Sequence, residues 1–288
     1  MRRFSRFACF DWSGQAVARP KGIALAAADA DSPPRLIAPD GGWSRQAALD
    51  WFMKAAQRKD DMLIGMDLSP AFPFLDEQSY FPGWPDSPAD APALWDLVER
   101  LSADDPHLSA TSFLQHPEIR RHFRFQGDCG DLFPPGRGRL RICEHGQADM
   151  KLSPYSCFNL VGAAQVGKSS LTGMRLFHRL RGIIPFWPFD PLPETGPVIV
   201  EIYTALAART AGLRKGVSKM RDATALDAAL AELGSPPHDA LEQYHDHATD
   251  ALLTAAWLRT VAADPRRWFP EKLTTQIAHT EGWTFGVL

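Results

Sequence analysis

Hydrophobic and polar positions along the chain switch between two periods. Arg6-Phe-Ala-Cys-Phe-Asp11-Trp12 is a short, aromatic-rich apolar run closed by Ser13-Gly14, a pattern that predicts a strand. Residues 21–28 and 35–38 predict two more short strands around the turn Asp31-Ser-Pro-Pro34, completing a three-stranded meander. The period then becomes three and four: Ser44 is placed to cap a helix over Arg45–Lys59, where Ala48, Trp51, Phe52 and Ala55 share one face. Asp61-Met-Leu-Ile-Gly-Met-Asp67 follows as a buried strand that again ends in a carboxylate.

From Pro70 to Pro154 the periodicity weakens into stretches such as Phe81-Pro-Gly-Trp-Pro85, with one helix predicted near 91–102. So long an aperiodic stretch predicts a functional insertion or lid over residues 70–160. Beyond it come a helix over 170–182, a third acid-bearing strand over Pro197–Tyr203, and helices at 204–211 and 222–233. A helix rich in small residues over His245–Val261 carries Asp246 and Asp250 one turn apart. This order predicts a single α/β domain over 1–288, a mixed sheet with flanking helices and a long irregular insertion.

Composition narrows the partners. Lys and Arg number 31 against 34 Asp and Glu, a net charge of −3, which excludes a generally basic nucleic-acid binder and leaves a local basic groove to do that work. Arg137-Gly-Arg139 and Arg214-Lys215-Gly-Val-Ser-Lys219 are the short basic stretches available. Cys9, Cys129, Cys143 and Cys157 lack CxxC spacing and read as reduced structural thiols. The apolar run Phe7–Phe10 is broken by Asp11 before it could form a signal-peptide core, and nothing is long enough to span a bilayer, so a cytoplasmic protein is expected.

Three apolar strands run into an acid: Asp11, Asp67 and Glu201. Asp11 shares a face with Phe7 and Cys9, and Asp67 with Leu63 and Gly65. Were these strands parallel neighbours, their carboxyl ends would form one crevice, the place where open α/β sheets bind ligands, and Asp246 or Asp250 could join from the helix. Converging carboxylates repel and raise one another's pKa values, so such a site calls for a cation, and oxygen ligands suit Mg²⁺ or Mn²⁺. Ions so held would bind a scissile phosphate and activate water without a His or Cys nucleophile. His245 and His247 read as cap or surface groups, and Trp84, Phe186, Trp187 and Phe189 as packing under the insertion.

Ala8-Cys-Phe-Asp11-Trp-Ser-Gly14, Leu63-Ile-Gly-Met-Asp67-Leu-Ser-Pro70, Val200-Glu201-Ile-Tyr203 and Asp246-His-Ala-Thr-Asp250-Ala-Leu252 together resemble the successive motifs of an RNase H-like family of predicted nucleases. That family is domain-of-unknown-function group 429, similar in fold to Holliday-junction resolvases, and the resemblance spans about residues 6–262. It implies an RNase H-like fold in which Asp11 on the first strand, Asp67 on the fourth and Asp250 or Asp246 on the final helix are metal ligands, while Glu201 matches the acid of the fifth strand. The expected function is divalent-metal-dependent hydrolysis of DNA or RNA; the same fold without activity would be a nucleic-acid-binding protein.

A rival motif is present. Gly162-Ala-Ala-Gln-Val-Gly167-Lys168-Ser169 satisfies GxxxxGK[ST], with Cys157–Val161 as a candidate preceding strand, which would make the chain an ATP or GTP hydrolase or kinase. Against it, Gly173 interrupts the helix that follows, and Asp11, Asp67, Asp246 and Asp250 are left without a role. In the nuclease reading Lys168, Ser169, Arg214, Lys215 and Lys219 are the candidate phosphate contacts.

Overall fold

Strand β1 (Arg6–Asp11) is apolar on both faces because both are covered, and it lies inside a six-stranded sheet. The computed structural model describes residues 2–162, 166–214 and 219–288. Antiparallel β2 (Ala24–Asp29) and β3 (Arg35–Ile37) complete the meander on one side of β1. Helix α1 (Arg45–Arg58) then crosses over; Ser44 Oγ caps it by accepting from Ala47 N at 3.0 Å, and Lys59 closes it in the left-handed conformation. The crossover returns the chain as β4 (Met62–Asp67), parallel to β1 on its other side.

Residues 70–160 are more structured than their aperiodic sequence predicts. They hold α2 (Ala91–Leu101), α3 (Thr111–Gln115), α4 (Pro117–Arg120), the hairpin of β5 (Arg124–Phe125) and β6 (Asp128–Cys129), and α5 (Ile142–Asp149). Phe72, Phe81, Phe113, Phe123 and Phe158 pack around one another beneath these pieces. Helix α6 (Val166–Leu180) follows, then β7 (Phe186–Trp187) and β8 (Val198–Glu201), giving the sheet order β3-β2-β1-β4-β8-β7. The last four strands in that order run parallel. After them come α7 (Thr204–Thr210), α8 (Ala223–Glu232), α9 (Asp246–Val261), α10 (Pro265–Trp268) and α11 (Thr275–Thr280).

Alternation along the strands divides the core in two. Ala8, Phe10, Ile64 and Met66 face α1, α2 and α6, whereas Phe7, Cys9, Leu63, Val198 and Val200 face α7, α8 and α9. Small residues let α9 lie close on the sheet: Ala251, Ala255 and Ala256 are fully buried there. Gly65 serves the same end, since a Cβ at that position would come within 2.9 Å of Ile202 and 3.0 Å of Leu258. The architecture is thus α/β, a mixed and mostly parallel sheet between two helical layers. Among the described residues no helix is long and apolar enough to cross a membrane.

Candidate functional site

Asp11 and Asp67 are register partners at the carboxyl ends of β1 and β4. Neighbouring strands run about 4.8 Å apart. By alternation both carboxylates leave the sheet on the face covered by α9, where Asp250 sits one turn above the helix start. All three line a cavity of about 1160 Å³ that opens at the strand ends, as open parallel sheets dictate. The far wall comes from the 70–160 segment, including Thr111, Gln115 and Phe125.

Burial raises all three acids, and neighbouring carboxylates add to it. Burial pushes the Asp67 carboxyl well above the usual range, and the charges of Asp11 and Asp250 push it further. Asp250 is raised to about 7 by burial and then by Asp11 and Asp246. Burial also raises Asp11, opposed by His247, whose Nδ1 lies 3.1 Å from Asp11 Oδ2. The imidazole is raised in turn, first by that hydrogen bond and then by the Asp11 charge. Asp67 Oδ2 accepts from Thr204 Oγ1 at 3.4 Å, at the start of α7. Even the Cys9 thiol behind the cluster is pushed up, by burial and by the three carboxylates.

Glu201 does not join this set, which corrects the sequence expectation. It pairs in register with Met66, not Asp67, so it leaves β8 toward the opposite face. There Arg141 donates to it through Nη2 at 2.6 Å and Nη1 at 2.8 Å, and Thr284 Oγ1 donates at 2.7 Å. Arg141 also binds Glu144 Oε1 at 3.1 Å and Ser69 Oγ at 3.1 Å, so the buried guanidinium neutralises this part of the cavity wall. Glu281 braces the same region by accepting from the backbone N–H groups of Phe74, Leu75 and Ile142. Asp246 lines the cavity but is engaged from outside, by Lys219 at 2.6 Å and Arg221 at 2.8 Å, which hold its carboxyl below the ordinary range against the opposing effect of partial burial.

The candidate phosphate contacts divide similarly. Lys168 and Ser169 stand in the first turn of α6 and line the cavity. Lys219 is taken up by Asp246, Arg214 is exposed and outside the cavity lining, and Lys215 lies outside the described residues. Arg139, another basic-loop candidate, is folded onto Asp76 and the carbonyls of Pro73, Ser79 and Tyr80. The start of α6 is anchored to both acid-bearing strand ends: Trp12 Nε1 donates to Thr172 Oγ1 at 3.0 Å and Ser69 N to Ser170 Oγ at 3.0 Å. Gly14 packs backbone to backbone on it, for a Cβ there would fall 2.3 Å from the Lys168 carbonyl carbon.

The rival motif lacks its expected frame. Cys157–Val161 is not a strand of the central sheet; Asn159 forms one isolated bridge to Arg124 while Phe158 packs in the aromatic core. Residues 163–165 of the motif lie outside the described residues. Trp84, Phe186 and Phe189 pack in the core on the insertion's side of the sheet, as expected, whereas Trp187 packs on Trp268 and Phe285 in the core of the opposite face. Cys9, Cys143 and Cys157 are buried and free, whereas Cys129 is exposed.

The cavity residues that sequence reasoning undervalues are His247 and Arg141. His247 lies three positions before Asp250, a spacing that puts both on one helix face, and that signal is present in the sequence. Arg141 sits in an aperiodic segment far in sequence from Glu201, and nothing local marks it. Compared with protein-family models, with curated proteins and with solved structures, the chain matches none.

Proposed function

We propose that the chain is a divalent-metal-dependent phosphodiesterase acting on nucleic acid, with Asp11, Asp67 and Asp250 as the residues that hold the metal. The observation that carries this reading is the register pairing of Asp11 with Asp67 beneath Asp250, three acids raised by burial, Asp67 further by Asp11 and Asp250 and Asp250 further by Asp11, with no arginine or lysine ion-paired to them among the described residues. The donor chemistry fits a hard cation such as Mg²⁺ or Mn²⁺: every donor is a carboxylate oxygen, and positive charge relieves the repulsion. As placed, no three His, Cys, Asp or Glu side chains among the described residues form a ligand group.

Bound there, the ion would supply positive charge to a scissile phosphate and acidify a coordinated water. The chain's own residues do the rest. His247 orients Asp11 through Nδ1 and, half exposed at the cavity mouth, can take or give a proton at Nε2. Thr204 fixes Asp67, and Lys168 adds a positive charge to the same cavity for the substrate's phosphates. The RNase H-like resemblance, which implies Asp11, Asp67 and either Asp250 or Asp246 as ligands, supports the same reading. Cleavage of labelled DNA and RNA under Mg²⁺ or Mn²⁺ titration tests the reading: activity that needs the metal and disappears in Asp11→Asn is expected. Absence of cleavage across single-stranded, duplex and junction substrates sinks it.

A further inference from the structure

A second cavity, of about 370 Å³, lies behind the loop that follows β1. Its volume is within the range of roughly 300–1,000 Å³ usual for small-ligand sites. Arg19, Arg45, Arg175, Arg179 and His107 line it, against the single acid Asp105. Two of these arginines, Arg45 and Arg175, are 1% exposed.

The charges do not cancel. Asp105 is spent on Ser112, accepting from its N at 2.8 Å and its Oγ at 2.6 Å. Glu99, beside the pocket, is shared between Arg175 Nε at 2.6 Å and Arg179 Nη2 at 2.6 Å. Among the described residues Arg45 receives no carboxylate: it donates to the carbonyls of His107, Ser13 and Gln15, and its buried Nε has no hydrogen-bond partner there. Four guanidinium groups therefore face two carboxylates, and a guanidinium buried beside another without a counter-ion is costly. Burial and then the Arg175 charge hold Arg45 down to about 10, as an unneutralised pair would.

The loop between the two cavities belongs to both. Ser13, Gln15, Ala16 and Val17 line the carboxylate cavity, and Ala18 and Arg19, next in sequence, line the basic pocket. We propose that this pocket is a phosphoryl-anion site, taking its phosphate either from a small free anion or from the backbone of a strand that continues over this rim from the carboxylates. Anion binding here rests on the pocket's own charge and shape and not on the nuclease reading. The second source, if it applies, places the local basic groove behind residues 13–19 instead of on the loops around Arg139 and Lys219.

Calorimetric titration of the full chain with inorganic phosphate, at low salt and in EDTA, tests the proposal. Wild type should bind, and the double variant Arg19→Glu/Arg179→Glu should lose at least tenfold in affinity, while the exposed control Arg266→Glu binds as wild type does. Arg19→Glu alone keeps the test readable should the double variant fail to fold, since the hydrogen bonds of Arg19 among the described residues go to the exposed carbonyls of Asp40 and Gly42. Phosphate binding that is absent in wild type, or unchanged in both pocket variants, overturns the site. A second arm follows a labelled single-stranded oligonucleotide by anisotropy. If the backbone is the source, the slope of log affinity against log salt should shrink by about 0.7 for each phosphate that a variant no longer neutralises. Pocket variants that lose phosphate but not oligonucleotide affinity establish a free anion as the source. Phosphate binding without any oligonucleotide binding upholds the pocket and counts against the nuclease reading alone.

Discussion

Two sets of acids face the same cavity and differ in what balances them. Glu201 and Glu144 share the guanidinium of Arg141, at 2.6 and 3.1 Å. Asp11, Asp67 and Asp250 have one another and a half-exposed histidine. The first set is a closed internal structure; the second has electrostatic demand left over. An acid at a strand end is therefore not a site in itself, and the counter-charge within reach decides which kind it becomes.

Substitutions can break this contrast. The largest effect is expected on catalysis: Asp11→Asn or Asp67→Asn should lower metal-dependent cleavage by at least about a thousandfold in single-turnover assays while the fold persists by circular dichroism. Retained cleavage would remove the acids from the chemistry. Arg141→Met should instead act on stability, costing about 3–5 kcal/mol in urea unfolding because it leaves Glu201 and Glu144 buried without a partner. An unmoved urea midpoint would show the two acid sets to be alike.

A smaller effect has the opposite sign. Asp250 has a folded pKa near 7, above its unfolded value, so the folded state holds its proton more tightly. Its contribution to stability is complete below about pH 4 and is lost as pH rises through 7. Without metal, Asp250→Asn should therefore stabilise the protein at pH 8, by roughly 1–3 kcal/mol once screening at the cavity mouth is allowed for, and do little at pH 4. Thermal melts in EDTA at the two pH values measure this, and destabilisation at pH 8 would contradict it. Smallest of all, Asp246→Asn should change metal-dependent cleavage by less than about threefold, since its carboxylate is already matched by Lys219 and Arg221 at the surface.

Much of the framework is legible in the order of residues alone. The strands ending at Asp11 and Asp67 announce themselves by apolar runs that stop at an acid, and α1 by its period and Ser44. Residues 70–160 do not, because α3 and α4 have only 5 and 4 residues, too few to display a helical period. Glu201 misleads for a different reason: its side of the sheet follows from a pairing with Met66 that only the register across β4 and β8 defines. His247 is readable from its spacing to Asp250, whereas the basic pocket draws on residues 19, 45, 105, 175 and 179, which no local pattern unites.

The partners of Arg141 also set an order of events in time. Thr284 and Glu281 supply bonds to the Glu201 carboxylate, to Arg141 and to the main chain at residues 74, 75 and 142. While a ribosome is still short of Thr284, the strands and α9 can already have collapsed, yet the floor of the cavity holds charges whose last ligands do not exist. Completion of the cavity must then await synthesis of residues 281 and 284, and a nascent chain halted before residue 281 would hold Asp11, Asp67 and Asp250 on an unfinished base.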